Sequence, residues 1–286
     1  MPTDFNGTGC FFGVGAGRCG TMLLANLLNA ESDVLCVHEG KIRMREEARK
    51  QWLPFLTLEN YQSYADFDKA LPTFRAKREM ICDIIQQENL RAFGDIAYNN
   101  APFTAVIPQV FPDAKLIVLV RDGRDFVRSV YTSERPDPLP VGWLDADTEL
   151  TDLEKYVAFG RLRPVPGLPD HACWNDMTAV QKNAWLWSET YRIIIDGLSA
   201  WNDTQTMIVR AEDFFADVEG TYRNIRCFLG FKFEMSRQTK SLLTSNINKR
   251  SSKSSYVLPH HSNWNQKTQC EFWSEAEMMM HNLGYR

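Results

Sequence analysis

Residues 10–21 read CFFGVGAGRCGT. Cys10–Val14 is an apolar run with the character of a buried strand, and Met22, Leu23, Leu24, Leu27 and Leu28 follow with the spacing of a core-facing helix stripe. Between them, Gly15, Gly17 and Gly20 let the backbone turn sharply and bring its N–H groups close to a ligand. The N–H groups and positive dipole end of the helix that follows favour an anion. Arg18 adds a planar cation that can fork onto phosphate oxygens, and Thr21 adds a hydroxyl. This strand–loop–helix unit has the chemistry of a phosphate site.

Two phosphate patterns compete for it. The nucleoside-triphosphate loop G-x-x-x-x-G-K-[ST] is nearly met by Gly15 to Thr21, but Thr21 follows Gly20 directly and the lysine is missing. Without that charge the β- and γ-phosphates lose their usual partner, which weighs against a kinase or ATPase. The dinucleotide pattern G-x-G-x-x-G fits Gly15, Gly17 and Gly20, though a tight strand-to-helix turn alone produces the same glycines.

A second motif narrows the choice. Residues 116–130 read LIVLVRDGRDFVRSV. Leu116–Val120 suits a central parallel strand buried on both faces. It ends at Arg121, where a doubly wound sheet puts its ligand-contacting residues. Asp122 and Gly123 make a turn, a helix is expected from near Asp125, and Ser129 falls in its first turns with its hydroxyl beside Arg121.

With both motifs in hand, a family resemblance becomes specific. GAGRCGTMLLANLLNAESDVLCVHE resembles the 5′-phosphosulfate loop of sulfotransferases, and RDGRDFVRS resembles their 3′-phosphate motif. FPDAKLIVLVRDGRD and VRAEDFFADVEGTYRNIRCFLGF are similar to segments around the family's central and later strands, so the likeness is spread over about residues 9–39, 94–135 and 206–231. The first segment is most similar to the tyrosylprotein sulfotransferase branch and its bacterial relatives. The resemblance implies an α/β fold, a P-loop-like doubly wound parallel sheet flanked by helices, in a single domain over residues 1–286. It also implies transfer of a sulfonate from 3′-phosphoadenosine 5′-phosphosulfate (PAPS) to an acceptor, with 3′-phosphoadenosine 5′-phosphate (PAP) as product.

The residues can be set against that chemistry. As an acceptor atom attacks sulfur in line, charge develops on the oxygen that leaves, so the site needs cations and N–H donors there and a base near the acceptor. Gly17, Arg18, Cys19, Gly20, Thr21 and Met22 are expected to hold the 5′ end, and Arg121 and Ser129 the 3′-phosphate. Val34–Val37 reads as the next strand, which puts Glu39 at its C-terminal end on the rim of the glycine loop. The resemblance implies that Glu39 is the general base; a plain ion pair with Lys41 or Arg43 is the alternative reading. His38 is the alternative base, and Arg18 completes the catalytic set.

The chain departs from the family at four positions. Many relatives carry a lysine just after the GD of the pre-strand segment or in the glycine loop; here these places hold Ile96 and Arg18. Arg18 is then expected to stabilise the leaving oxygen, with help from Lys41 or a later lysine. Ala211 stands where the family often has a tyrosine lining the adenine site. Cys19 stands where relatives usually carry serine, at a helix terminus and beside an arginine that would lower its pKa. Residues 246–264, NINKRSSKSSYVLPHHSNW, are expected to form a basic loop that covers the cofactor through Lys249, Arg250 and Ser251. His260 and His261 lack further ligands at metal spacing, so no metal is expected.

Composition bounds the rest. With 286 residues, 44% of them hydrophobic and 24% charged, the chain can bury a full α/β core. No apolar run approaches the ~18 residues that span a bilayer, and with the first strand reached by Cys10 no cleavable leader is expected. Seven scattered cysteines fit reduced thiols, so a cytoplasmic protein is expected. Residues 134–178, rich in proline, read as an irregular insertion after the 3′-phosphate motif and as a wall or lid of the acceptor pocket. A net charge of −4 argues against a polyanionic glycan. Asp145, Asp147, Glu149, Asp152 and Glu154 in the insertion are either a solvated face or the edge of a pocket for a cation. The expected acceptor is a hydroxyl or amine of a small molecule in secondary metabolism. Neither nucleic acid nor membrane is expected as a partner, and a homodimer is left open. The other classes weighed are a P-loop-type small-molecule kinase and a non-catalytic PAPS-binding relative.

Overall fold

The structure is a computed structural model; it describes residues 9–38, 67–131, 162, 164, 166–167, 169–232, 234–244 and 258–286. Five strands form one parallel sheet: β1 (Gly9–Val14), β2 (Val34–Val37), β3 (Ala92–Ile96), β4 (Lys115–Val120) and β5 (Thr206–Arg210), in the order β2-β3-β1-β4-β5. The strands expected at Cys10–Val14, Val34–Val37 and Leu116–Val120 are all present, two of them one residue longer at the N-terminal end. Helices in chain order are α1 (Thr21–Asn29), α2 (Phe67–Glu88), α3 (Ile107–Val110), α4 (Gly123–Val130), α5 (Ala179–Leu198), α6 (Ala211–Ala216), α7 (Val218–Leu229), α8 (Arg237–Thr244) and α9 (Gln266–Asn282). Helix α4 opens at Gly123 rather than near Asp125, because the Asp122 side chain accepts a hydrogen bond from the Arg124 amide and caps it.

The near-continuous apolar runs of β1 and β4 are those of strands buried on both faces. Alternate residues feed two cores. Phe12, Val14, Leu116, Val118 and Val120 pack with α2, α4, α5 and α9, whereas Phe11, Ile117 and Leu119 pack with α1, α6 and α7. The helices therefore form layers on both sides of the sheet. Helix α1 leaves β1 on one face and α4 leaves β4 on the other, so the neighbouring strands β1 and β4 flank a topological switch point. In open α/β sheets, ligands bind at the carboxyl ends of strands at such a point.

Side chains seal the layers locally. Thr178 and Gln181 form a reciprocal capping box at the start of α5, and Asn265 caps α9. Trp185 and Ile194 of α5 and Phe272 and Met280 of α9 are buried in the core they share with Phe12 and Val118 of the sheet, and Ile193 and Trp273 pack against it partly buried. Buried Glu31, just past α1, accepts hydrogen bonds from Arg226 and Tyr222 of α7 and ties those helices together. Among the described residues, no helix is long and apolar enough to cross a membrane.

Packing at the sheet centre leaves no spare volume. A Cβ on Gly94 of β3 would lie 2.0 Å from the ring of Phe11, its partner across the β1–β3 ladder. Both strands are fixed by neighbours on each side, so neither can yield. Gly94→Ala is expected to destabilise the fold by about 1–3 kcal/mol, as overpacking does. The check is a urea midpoint that falls at unchanged slope; an unaltered midpoint would contradict this close approach.

Candidate active site

Strand β1 ends at Val14 and the chain turns through Gly15–Gly20 into α1. Gly15 has no room for a side chain: a Cβ there would meet the Leu119 carbonyl at 2.5 Å and the Cys19 sulfur at 2.8 Å. Gly17, Arg18 and Gly20 follow with φ of 85°, 54° and 95°. A left-handed conformation is ordinary for glycine and uncommon for arginine. Helix α1 then starts on Gly20 with no side-chain cap and no acidic residue in its first turn. Its first intrahelical bond runs from the Leu24 amide to the Gly20 carbonyl, so the N–H groups of Thr21, Met22 and Leu23 precede it. Those amides and the helix dipole give the loop a positive character with no carboxylate of its own to cancel it.

The carboxyl end of β4 meets this loop directly. Arg121 Nη1 donates to the Arg18 carbonyl at 2.6 Å, and Arg18 Nε donates to Ser129 Oγ of α4 at 3.0 Å. Ser129 is buried, and as an acceptor from Arg18 its hydroxyl keeps its own hydrogen to donate. The peptide groups around Arg121 are themselves held: Trp187 Nε1 donates to the Arg121 carbonyl at 3.0 Å, and the Asp122 amide donates to Glu212 Oε1 at 2.9 Å. Asp122 also grips Arg124 through a two-oxygen ion pair, and Tyr191 caps the Leu119 carbonyl at 2.8 Å. Arg18, Arg121 and Ser129, read from two motifs about a hundred residues apart, thus form one hydrogen-bonded group.

The third edge of the site comes from β2. His38, just past that strand, is buried and places Nε2 3.1 Å from the Thr21 hydroxyl. It thereby touches the glycine loop at the start of α1. The neighbouring residue, Glu39, lies outside the described residues, as do Lys249, Arg250 and Ser251, the acidic stretch at 145–154 and most of the insertion. His260 and His261 are described; His260 accepts from the Ser262 amide and caps a short helical turn at His261–Asn263.

One expectation about this loop is overturned. Cys19 is fully buried behind the glycines, and burial outweighs the loop amides and the charge of Arg121, pushing its thiol up to about 11. It is a packing residue whose sulfur fills the space that Gly15 leaves. Met22, by contrast, is more than half exposed and can contribute to a ligand through its amide.

Sequence reasoning missed Lys77. Ile96, which stands in the place of the family's lysine, is fully buried and packs over Gly13. One position earlier, Asp95 accepts a 2.6 Å hydrogen bond from Lys77 of α2, which also donates to Asn100 Oδ1 at 3.1 Å. Asn100 in turn donates to the Asp95 carbonyl at 3.2 Å. This buried triad anchors the short helical segment Tyr98–Phe103, whose Tyr98 side chain lies against Gly17. The available signal was a lysine on the otherwise apolar stripe of Phe74, Ile81 and Ile85.

The sheet order, the switch point and the glycine loop between β1 and α1 define an α/β fold with a doubly wound parallel sheet. A sequence model of the sulfotransferase family matches residues 11–159, just over half of the chain, and the chain belongs to that family. No curated protein sequence matches it. Among solved structures it is similar to the sulfotransferase STF1 from Mycobacterium tuberculosis H37Rv, at 13% identity and TM-score 0.55, over 93% of this chain and 77% of that one. It is also similar to the sulfotransferase domain of the Synechococcus PCC 7002 olefin synthase, at 14% identity and TM-score 0.52, over 98% and 97% of the two chains. The sulfotransferase domain from the curacin biosynthetic pathway matches at 12% identity and TM-score 0.51, over 98% of each chain. At these identities the likeness is one of fold.

The burial of Cys19 has a direct readout. With a thiol at about 11, the thiolate is about a thousandth of the population at pH 8. Maleimide labelling of the native protein, mapped by peptide mass, is expected to modify the exposed Cys173, Cys227 and Cys270 and spare Cys19. Labelling of Cys19 as fast as of those three would contradict this placement.

Proposed function

We propose that the chain is a PAPS-dependent sulfotransferase that sulfonates a hydroxyl or amine of a small-molecule acceptor. The observation that carries this reading is the convergence of Arg18, Arg121 and Ser129 on an α1 N-terminus without a side-chain cap. Two cations, a hydroxyl and a run of amides at one sheet edge suit a ligand with phosphate groups at both its 5′ and 3′ positions. A triphosphate would ask instead for a loop lysine, and position 21 follows Gly20 with threonine.

When bound, PAPS supplies the sulfonate and departs as PAP. On this reading Arg18 and the amides of Gly20, Thr21 and Met22 offset the negative charge that develops at the departing 5′-phosphate. The Thr21 hydroxyl adds a donor there, and His38 orients it through their hydrogen bond. Arg121 and Ser129 hold the 3′-phosphate and fix the nucleotide without entering the chemistry. Glu39 takes the acceptor's proton as general base. Lys249, Arg250 and Ser251 close over the phosphates from the 246–264 segment. Within a single domain spanning 1–286, residues 134–178 wall the acceptor pocket, and the carboxylates between Asp145 and Glu154 favour a cationic secondary metabolite. The setting consistent with this chemistry is cytoplasmic, with no metal required and a homodimer allowed.

Two substitutions divide the roles. Glu39→Gln is expected to lower PAP release from PAPS, measured across a panel of amines and alcohols, by about 10²–10⁴-fold. Its affinity for PAP should stay within about twofold, because the carboxylate is assigned to the acceptor and not to the nucleotide. Arg121→Ala is expected to weaken PAP binding by about 10–100-fold, the size of a lost charge-assisted contact. Retained turnover in the first variant would remove Glu39 as base, and unchanged PAP affinity in the second would sink the 3′-phosphate assignment.

A further inference from the structure

The last residues of the chain return to the Arg121 turn. Helix α9 ends in a Schellman motif: the Gly284 amide donates to the His281 carbonyl at 2.9 Å and the Tyr285 amide to the Met280 carbonyl at 2.8 Å, with Gly284 at φ 71°. This reversal swings Tyr285 back against the sheet, where it is 9% exposed. Its ring lies 4.6 Å from the Arg210 guanidinium, and Arg210 Nη2 donates to the Leu283 carbonyl at 2.5 Å. Its hydroxyl donates to Glu212 Oε2 at 3.0 Å, while the other oxygen of Glu212 accepts the Asp122 amide at 2.9 Å.

A continuous path therefore runs from Tyr285 through Glu212 to the peptide that joins Arg121 to Asp122. The carbonyl of the same peptide is held from the other side by Trp187, so that peptide is clamped at both polar atoms. Clamping it sets the direction in which the Arg121 side chain leaves β4. We infer that Tyr285 is a positioning residue for the 3′-phosphate cradle: its hydroxyl aligns Glu212, Glu212 fixes the Asp122 amide, and that amide aims Arg121. The inference rests on the PAPS reading above. Tyr285 acts through Glu212, its hydroxyl being spent on that carboxylate and its ring on Arg210. Its importance comes from geometry, since a binding group held by a supporting hydrogen bond loses its effect when it is free to drift by an ångström. The burial of the hydroxyl beside Glu212, which pushes its pKa above the ordinary tyrosine value, keeps it protonated and a donor across the physiological range.

The test compares PAP with adenosine 5′-phosphate, which lacks only the 3′-phosphate, by calorimetric titration of the 286-residue chain. In Tyr285→Phe the ring stays on Arg210 and only the hydroxyl is lost. PAP affinity is expected to fall about fivefold, the effect of one hydrogen bond, with adenosine 5′-phosphate affinity unchanged. Glu212→Gln should lower the same ratio, and adding Tyr285→Phe to it should change the ratio little further, because both act on one path. A mere strap on the fold would lower the melting temperature and leave the ratio of the two affinities where it was. That outcome, or an equal loss for both nucleotides, would overturn the inference. If the unmutated chain does not prefer PAP, the PAPS reading fails and this inference fails with it.

Discussion

The site depends on how closely the β1 loop is pressed onto the end of β4. Gly15 passes so near the Leu119 carbonyl that no side chain fits between them, and Arg121 then reaches back to the Arg18 carbonyl at 2.6 Å. That contact brings the N-terminus of α1 and the first turn of α4 to the same rim from opposite faces of the sheet. Spread the two strands by a side chain's width and Arg18 no longer meets Ser129. A parallel sheet whose neighbouring strands send their helices to opposite faces provides the crevice. The glycines make it shallow enough for backbone N–H groups to form its floor.

Around this contact the protein invests in buried polar bonds rather than in extra apolar area. Lys77, Asp95 and Asn100 stitch α2 to the end of β3 and to the segment that backs Gly17. Trp187, Tyr191 and Glu212 satisfy the peptide groups at the end of β4, on strands whose ladder hydrogen bonds stop there. Buried ion pairs and networks contribute little net stability, but breaking one side of them is strongly destabilising. Their effect here is to hold the strand ends in one arrangement.

Much of this was legible in the sequence because it is local. The run CFFGV, the glycines and the leucine stripe after them define a strand, a loop and a helix within twenty-odd residues, and the arginine after LIVLV marks a strand end. That Arg121 and Ser129 stand at one rim with the glycine loop followed once both motifs were assigned to strand ends of one sheet; the direct bond from Arg18 to Ser129 did not. What escaped is long-range or depends on burial. Lys77 reads as a surface lysine until the stripe it interrupts is seen to face the core. Tyr285 meets Glu212 across 73 residues, and only the glycine before it hinted that the chain turns back. Cys19 was read from its charged neighbours, whereas its depth behind the loop decides its chemistry. Glu39 and the basic segment at Lys249, Arg250 and Ser251, drawn from family resemblance, lie outside the described residues and stand as proposals.

The central claim is that this rim is built for a 3′-phosphorylated adenine nucleotide. The most direct measurement is the melting temperature of the unmutated protein with PAP, with ADP and with ATP plus magnesium. A ligand at about a hundred times its dissociation constant stabilises its protein by roughly 2.7 kcal/mol, a shift of about 5–10 °C here. A shift with PAP alone is the predicted result. A shift with ATP and magnesium alone would contradict the account and point to a kinase built on the same sheet.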